Sequence, residues 1–434
     1  MTSTWGWGRF PVSDGELIRA RSTSSIREAV KSGPVIPRGL GRSYGDSSLG
    51  DRMLDLTALD AFLAFDEQTG ALTVEAGVSL SEILTVTLPR GWFLPVTPGT
   101  RFVTVGGAIA SDVHGKNHHK DGTIGDHVVS MKVLVASGEI LTVSRTEHPE
   151  LFHATCGGMG LTGVIVEATV NLLRVNSRNV DETVVKAPNL DAALAAFDQY
   201  ADTKYSVAWI DLIASGAALG RSLVMVGEHA DDGDLVVRSD ATLAAVPFSL
   251  PSALLNPLSV KAFNGLYYER VRQPVSQHRV GFEPFFYPLD KVAEWNRVYG
   301  KQGLIQYQFA IGFEAGRSVL REIVEQIALA GLASPLAVLK VFGPANDNHL
   351  SFPLEGYTLA LDFKATPDAL KLAERLDRLV LEAGGRLYLT KDSRMSAETF
   401  HASYSRIDEF ESVRLDYGAT GVFVSAQSQR LGLA

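Results

Sequence analysis

Three glycine-rich stretches carry the residue types that could do chemistry. The first is "PRGLGRSYGD", Pro37 to Asp46, with Gly39, Gly41 and Gly45 set among two arginines, a tyrosine and an aspartate. The second is "TPGTRFVTVGGAIASDVHGKNHH", Thr97 to His119, and the third is "CGGMGLTG", Cys156 to Gly163. Glycine lets backbone N–H groups approach a phosphate with no side chain in the way, and successive N–H groups form a nest for the anion. Neither common nucleotide fingerprint fits the first loop. Its third glycine comes one residue late for G-x-G-x-x-G, and no lysine completes a P-loop. Gly158, Gly160 and Gly163 do spell G-x-G-x-x-G, but "VIVEATVNLL" after them is a strand pattern, whereas a nicotinamide site needs a helix that opens at the phosphates. Strand-linked loops of this kind could wrap a large dinucleotide such as FAD in extended form. Asp112, His114, His118 and His119 in "DVHGKNHH" raise a metal alternative. No i, i+4 ligand pair on a helix is indicated and no second ligand cluster appears, so no metal is expected, and His118 and His119 are read as structural.

These loops need elements to hold them. "SSIREAVKSG" (24–33) reads as a short helix with a serine cap and a glycine stop. Gly70–Leu80, Lys132–Val143 and Gly163–Leu173 read as strands and hairpin-like pairs. Beyond about residue 178 the texture changes. "GRSVLREIVEQIALAG" places Val319, Ile323 and Ile327 on one helical face, and "TPDALKLAERLDRLVLEAGG" offers Thr366 as cap, Pro367 in the first turn and Gly384 as stop. Between them lie strand-like runs at 304–313, 336–342 and 357–363. Gln306 and Gln308 alternate with Tyr307, so both amides should face one side of a strand, either toward a ligand or into a core. The pattern is α+β, with an antiparallel sheet and helices on one face.

The chain has 434 residues, more than one ordinary core, so two domains are expected. Its formal net charge of −9 argues against broad nucleic-acid binding. The single cysteine, Cys156, excludes an internal disulfide and a cysteine-based metal cluster. "MTSTWGWGRF" has neither the basic nor the apolar region of a secretory signal, and no run is apolar and long enough to span a bilayer. The expected location is cytoplasmic or peripheral to the inner membrane. The apolar segment Ala244–Tyr268 is broken by Pro247, Pro251 and Pro257, so it should not form one straight helix. It reads as a buried or partly ordered loop, or as a lid or lipid-facing surface.

"PVIPRGLGRSYGDSSL", the second loop and "GGMGLTGVIVEAT" resemble the FAD-binding domain of the vanillyl-alcohol-oxidase type, and more narrowly the decaprenylphosphoryl-β-D-ribose 2-oxidase family of bacterial cell-wall arabinan synthesis. The resemblance continues nearly to the end of the chain through "EWNRVYG", "LIQYQF", "KVFGP", "LSFP", "GGRLYLTKDSR", "AETFHASY" and "RIDEFESVR". It implies an FAD-binding domain over 1–177, a substrate-binding cap domain with an antiparallel sheet over 178–385, and a segment 386–434 returning to the first domain. It also implies oxidation of the ribose 2-hydroxyl of a polyprenylphosphoryl sugar by hydride transfer to FAD, with a separate keto-reductase completing epimerisation and peripheral membrane contact.

By the same resemblance, Lys391 and His114 are the catalytic residues, Lys391 as flavin stabiliser or as base. FAD contacts are expected from Arg38, Gly39, Leu40, Gly41, Arg42, Ser43, Tyr44 and Gly45 in the first loop. Gly99, Thr104, Val105, Gly106, Gly107, Ser111 and His114 in the second loop, with Ile165 and Tyr388, complete them. Lys116, Trp209, Gln306, Gln308, Lys340, Thr358 and Ala360 are implied on the substrate side. Relatives with covalent flavin often carry a histidine in the first loop; Ser43 and Tyr44 stand here, so FAD is expected to be non-covalent. Mycobacterial members have cysteine at Ala360, asparagine at Thr358 and tyrosine at Phe286, differences that reshape the pocket. A sugar-alcohol or aldonolactone oxidase, and a non-catalytic lipid or flavin carrier, are the alternative readings.

Overall fold

The computed structural model describes residues 3–236, 244–249, 251, 255–332 and 335–433. Near the N-terminus, Glu16–Arg19, Arg52–Asp55 and Ile36–Arg38 form a parallel three-stranded sheet in that spatial order. Parallel neighbours need a crossover, and the helix Thr23–Lys31 lies in it, capped by Ser22 and burying Ile26, Ala29 and Val30. The strand Ile36–Arg38 runs straight into the first glycine loop, so that loop opens at the carboxyl end of a parallel strand, where open α/β sheets bind ligands. A second sheet is antiparallel, in the order Ile140–Val143, Val128–Leu134, Val164–Asn171, Ala71–Glu75, Phe62–Phe65. The hairpin expected over 132–143 is the pair Val128–Leu134 and Ile140–Val143. The strand expected over 70–80 stops at Glu75, because Ser79 and Glu82 form a capping box that starts the helix Leu80–Thr87.

An eight-stranded sheet follows, antiparallel throughout, ordered 275–281, 179–187, 222–229, 205–210, 337–342, 356–364, 304–312, 386–387. Its strand Leu304–Gly312 shows how one sequence serves two faces. Ile305, Tyr307, Phe309 and Ile311 enter the core with Leu320, Ile323, Leu372 and Leu376 of the helices Phe313–Ala330 and Pro367–Glu382. Gln306 and Gln308 point the other way. The first of these helices begins at Phe313, and its buried face is Gly316, Leu320, Ile323, Val324 and Ile327, with Val319 at the margin. The second starts as expected, Thr366 accepting from the N–H of Ala369.

The 244–268 segment is not one straight helix, and Pro257 is where its helix begins. The proline occupies the first turn of the helix Pro257–Glu269, where its missing N–H costs nothing, and Asn256 caps it. Residues 250 and 252–254 of that segment lie outside the described residues. After residue 386 three short helices follow, Ala397–Ser403, Ile407–Asp416 and Ala426–Leu431. Ala419 and Phe423 pack with Ile26, Val30 and Leu54, and Val35 bridges Phe423.

Candidate active site

A cavity of about 530 Å³ runs from the glycine loops to the Gln306 face of the eight-stranded sheet. At the loop end, the N–H groups of Leu40, Gly41, Arg42 and Ser43 donate to no other protein group among the described residues. Gly41 has φ +64°, which lets the loop turn without a Cβ meeting the Arg38 guanidinium. Arg38 braces the turn through Ser48 O at 3.2 Å and Trp5 O at 2.8 Å. Arg42 lies 4.3 Å from the centroid of the Trp7 ring, its buried Nε unpartnered. A row of free amides between two guanidinium groups fits the diphosphate of a dinucleotide, and the long cavity beyond it fits the remainder.

At the far end the side chains are basic and buried. Lys391 Nζ lies 4.1 Å from the centroid of the Tyr44 ring. Burial lowers the Lys391 ammonium to about 8, against the attraction of Asp362. Lys340 falls to about 7 through burial and then the charges of Lys391 and Lys116. His114 meets Gln308 Nε2 at Nε2 and Lys340 Nζ at Nδ1, each at 3.2 Å, and its ring packs against Phe342, Phe352 and Tyr388. Burial, then Lys340, drives it well below the usual histidine range, so the ring is neutral with one N–H and one lone pair. A charged Lys340 must donate to Nδ1, which leaves N–H on Nε2 facing Gln308. The charge of Lys340, the tautomer of His114 and the amide orientation of Gln308 therefore form one coupled state. Beside them Asp362 is fully buried, accepts from Gln306 Nε2 at 2.7 Å and Tyr299 OH at 3.2 Å, and is raised to about 7 by burial.

Most of the residues named from the sequence meet on this cavity wall. Arg38 to Tyr44, Gly99, Thr104, Gly106, Gly107, Ser111, His114 and Ile165 line it, as do Gln306, Gln308, Lys340, Ala360, Tyr388 and Lys391. Gly45, Val105, Lys116, Trp209 and Thr358 do not. Gly45 instead lies against the backbone of Asp392, closer than any Cβ would allow. Val105 is the first residue of the helix Val105–Ala110 and is buried, its N–H donating to Val78 O. Thr358 Oγ1 accepts from Gln308 at 3.3 Å. Trp209 pairs across the sheet with Val338, which does line the cavity, and donates its indole N–H to Pro335 O. Lys116 is buried against the Phe285 ring, its Nζ bonded to Phe285 O, and burial lowers it to about 8. His118 accepts from the N–H of Gly343, and His119 Nε2 meets Thr203 O.

Sequence reasoning passed over Asp362, although it continues the Thr358–Ala360 alternation by one step. It also passed over Trp7, whose backbone N–H donates to Ser43 O. The "WGWG" run signals close backbone approach but not its target. Asp112, weighed as a metal ligand, is a clamp: its carboxylate accepts from the N–H of Gly125 and from Asn346, Asn348 and Ser351, tying the His114 loop to the 346–351 loop.

The family described as "FAD binding domain" matches residues 17–144. Over 99% of its length the chain is 39% identical to decaprenylphosphoryl-beta-D-ribose oxidase of Mycolicibacterium smegmatis, covering 97% of that protein. It is 21% identical, over 97% of this chain and 94% of the other, to L-gulono-1,4-lactone dehydrogenase of Mycobacterium tuberculosis. Among solved structures, wild-type BBE-like 1 of Physcomitrella patens shares the fold at a TM-score of 0.68 and 14% identity, covering 96% of this chain and 91% of that one.

Proposed function

The chain belongs to the family of decaprenylphosphoryl-β-D-ribose oxidase, FAD-dependent oxidoreductases, and from that premise we propose that it oxidises the 2-hydroxyl of a polyprenylphosphoryl-β-D-ribose to the 2-ketone. The observation that carries this reading is a single cavity that joins a row of free backbone amides to Lys391, Lys340 and His114. When bound, FAD supplies the acceptor for the hydride that leaves the sugar. The loop residues Arg38 to Tyr44 hold its phosphates, Gly99, Thr104, Gly106, Gly107 and Ser111 shape the wall beside it, and Val105 supports that wall from behind. With no histidine in the first loop, the cofactor is held without a covalent bond.

The protein's own groups do the rest. The Lys340–His114 pair takes the hydroxyl proton, since a neutral Lys340 is accessible near neutral pH. Lys391 keeps a positive charge at the wall below about pH 8 and stabilises the negative charge that two electrons bring. Gln306 and Gln308 orient the sugar hydroxyls. Asp362 fixes Gln306, and Thr358 fixes Gln308. Lys116 and Trp209 flank the wall, Trp209 beside its cross-strand partner Val338.

No described helix is long and apolar enough to cross a membrane. Peripheral contact fits the helix Pro257–Glu269, whose Leu258, Phe263 and Leu266 are 80%, 48% and 77% exposed. This helix lies beside the cavity's outer wall, Tyr267 4.7 Å from Trp209 between ring centroids. A bilayer there would present the lipid-linked sugar to the site. A separate keto-reductase would consume the ketone. The test is anaerobic addition of polyprenylphosphoryl ribose and, separately, of free alditols and aldonolactones. Loss of the visible flavin band with the lipid-linked ribose is expected. Bleaching only by the free polyols or lactones would assign the chain to that chemistry instead.

A further inference from the structure

We propose that Arg430 is a positioning residue that locks the cofactor loop and the Lys391 loop into one unit through two buried aspartates, so that FAD binding and the placement of Lys391 are set together. The inference rests on FAD occupying this cavity and on the role of Lys391 given above. Arg430 lies on the last helix, Ala426–Leu431. Its Nε meets Asp46 Oδ2 at 3.0 Å, and its Nη2 meets Asp46 Oδ1 at 2.7 Å and Asp392 Oδ2 at 2.8 Å. Nη1 bonds Met395 O. Asp46 ends the first glycine loop, two residues after Tyr44. Asp392 follows Lys391 directly. The aspartates are 3% and 7% exposed.

The same two loops touch elsewhere. Tyr44 N–H donates to Thr390 O at 3.0 Å, Gly45 abuts the Asp392 carbonyl, and Lys391 lies over the Tyr44 ring. The last helix reaches both loops besides, with Ala426 N–H on Leu49 O at 2.7 Å and Gln427 Nε2 on Leu389 O at 2.8 Å. A shift of one loop therefore carries the other.

The electrostatics make this arrangement testable. Two carboxylates share one guanidinium, and without it they would be like charges in a poorly solvated place. Burial already raises Asp46, with Asp392 adding to it. Arg394 also faces Asp392 but is engaged by both carboxylate oxygens of Asp377, at 2.6 and 2.7 Å, and Asp392 further faces the Asp377 carboxylate itself and the Tyr307 and Tyr404 phenols. None of these can replace Arg430.

The experiment compares wild type, Arg430→Lys, Arg430→Met and Arg430→Met/Asp392→Asn. It reads the FAD dissociation constant of each apoprotein by fluorescence titration across neutral pH, and then kcat and KM with the lipid-linked ribose. Arg430→Met should bind FAD roughly 5–150-fold more weakly, the range of an ordinary coupling between sites. The defect should grow as pH rises, because the Asp46 carboxyl, already raised by burial, must then ionise with no guanidinium beside it. Adding Asp392→Asn should recover most of the loss, and kcat should suffer more than KM. Wild-type FAD affinity and kcat in Arg430→Met would overturn the proposal. So would a loss that is flat with pH and not relieved by Asp392→Asn. If Arg430→Met does not fold, Arg430→Lys decides: unchanged affinity and kcat would overturn it, and a partial loss of both would support it. Failure of the wild-type apoprotein to bind FAD would sink the cofactor reading itself, which this series separates from the role of Arg430.

Discussion

At the scale of single residues, the site is built on buried cations whose proton affinities lie near neutrality. Activity should rise as pH climbs through about 7, where Lys340 becomes neutral, and fall as it passes about 8, because Lys391 must stay charged. Lys391→Arg should carry that fall to higher pH, and Lys391→Met should lower kcat by about 10²–10³, as for loss of one preorganised charge-stabilising donor. A pH–rate profile of the three proteins checks both. Burial depresses the lysine from 10.5 to about 8, so the folded chain is penalised wherever that side chain must be charged, fully below pH 8. Lys391→Met should therefore melt higher than wild type at pH 7, by about 1–3 kcal/mol, with the gain fading as pH climbs toward 10.5. The wall residue Ala360 makes a separate prediction. Cys156 is fully buried and its thiol is pushed well above the usual value by burial, so the native protein should take up no maleimide. Ala360→Cys should take up one equivalent, slowed by bound FAD, by mass spectrometry of the native protein.

At the scale of elements, the alternation of Gln306 and Gln308 with Tyr307 was legible from period two alone, because the two amides face the cavity while Tyr307 enters the core. The capped helix at 367–382 was equally legible. Asp46, Asp392 and Arg430 were not, since their meeting depends on segments far apart in the sequence. The same holds for Gly45, which reads as a phosphate-loop glycine and serves instead as a point of loop contact. Gly45→Ala should drive the two loops apart, costing about 1–3 kcal/mol of stability as overpacking does and weakening FAD retention. Thermal melts with and without FAD measure it. The helix 257–269 was obscured by the prolines of its segment, the last of which starts it. Leu258→Asp with Leu266→Asp should weaken co-sedimentation with anionic vesicles while leaving the melting temperature within about 1 kcal/mol of wild type, because both side chains face solvent.

At the scale of the whole molecule, neither half closes the cavity alone: the glycine loops give one wall and the eight-stranded sheet the other. A ligand held between them should stabilise both, by about 2.7 kcal/mol at a hundredfold excess over its dissociation constant. Calorimetry of apoprotein titrated with FAD should show one transition moving upward. A transition that splits, with only one half responding, would count against a shared wall. The sheet has a further consequence. Its pocket-facing positions, 306, 308, 338, 340 and 360, sit back to back with a separately packed interior. Substrate preference can therefore be rewritten one side chain at a time while the scaffold behind stays as it is, and a family of such enzymes can diversify in what it accepts without first having to relearn how to fold.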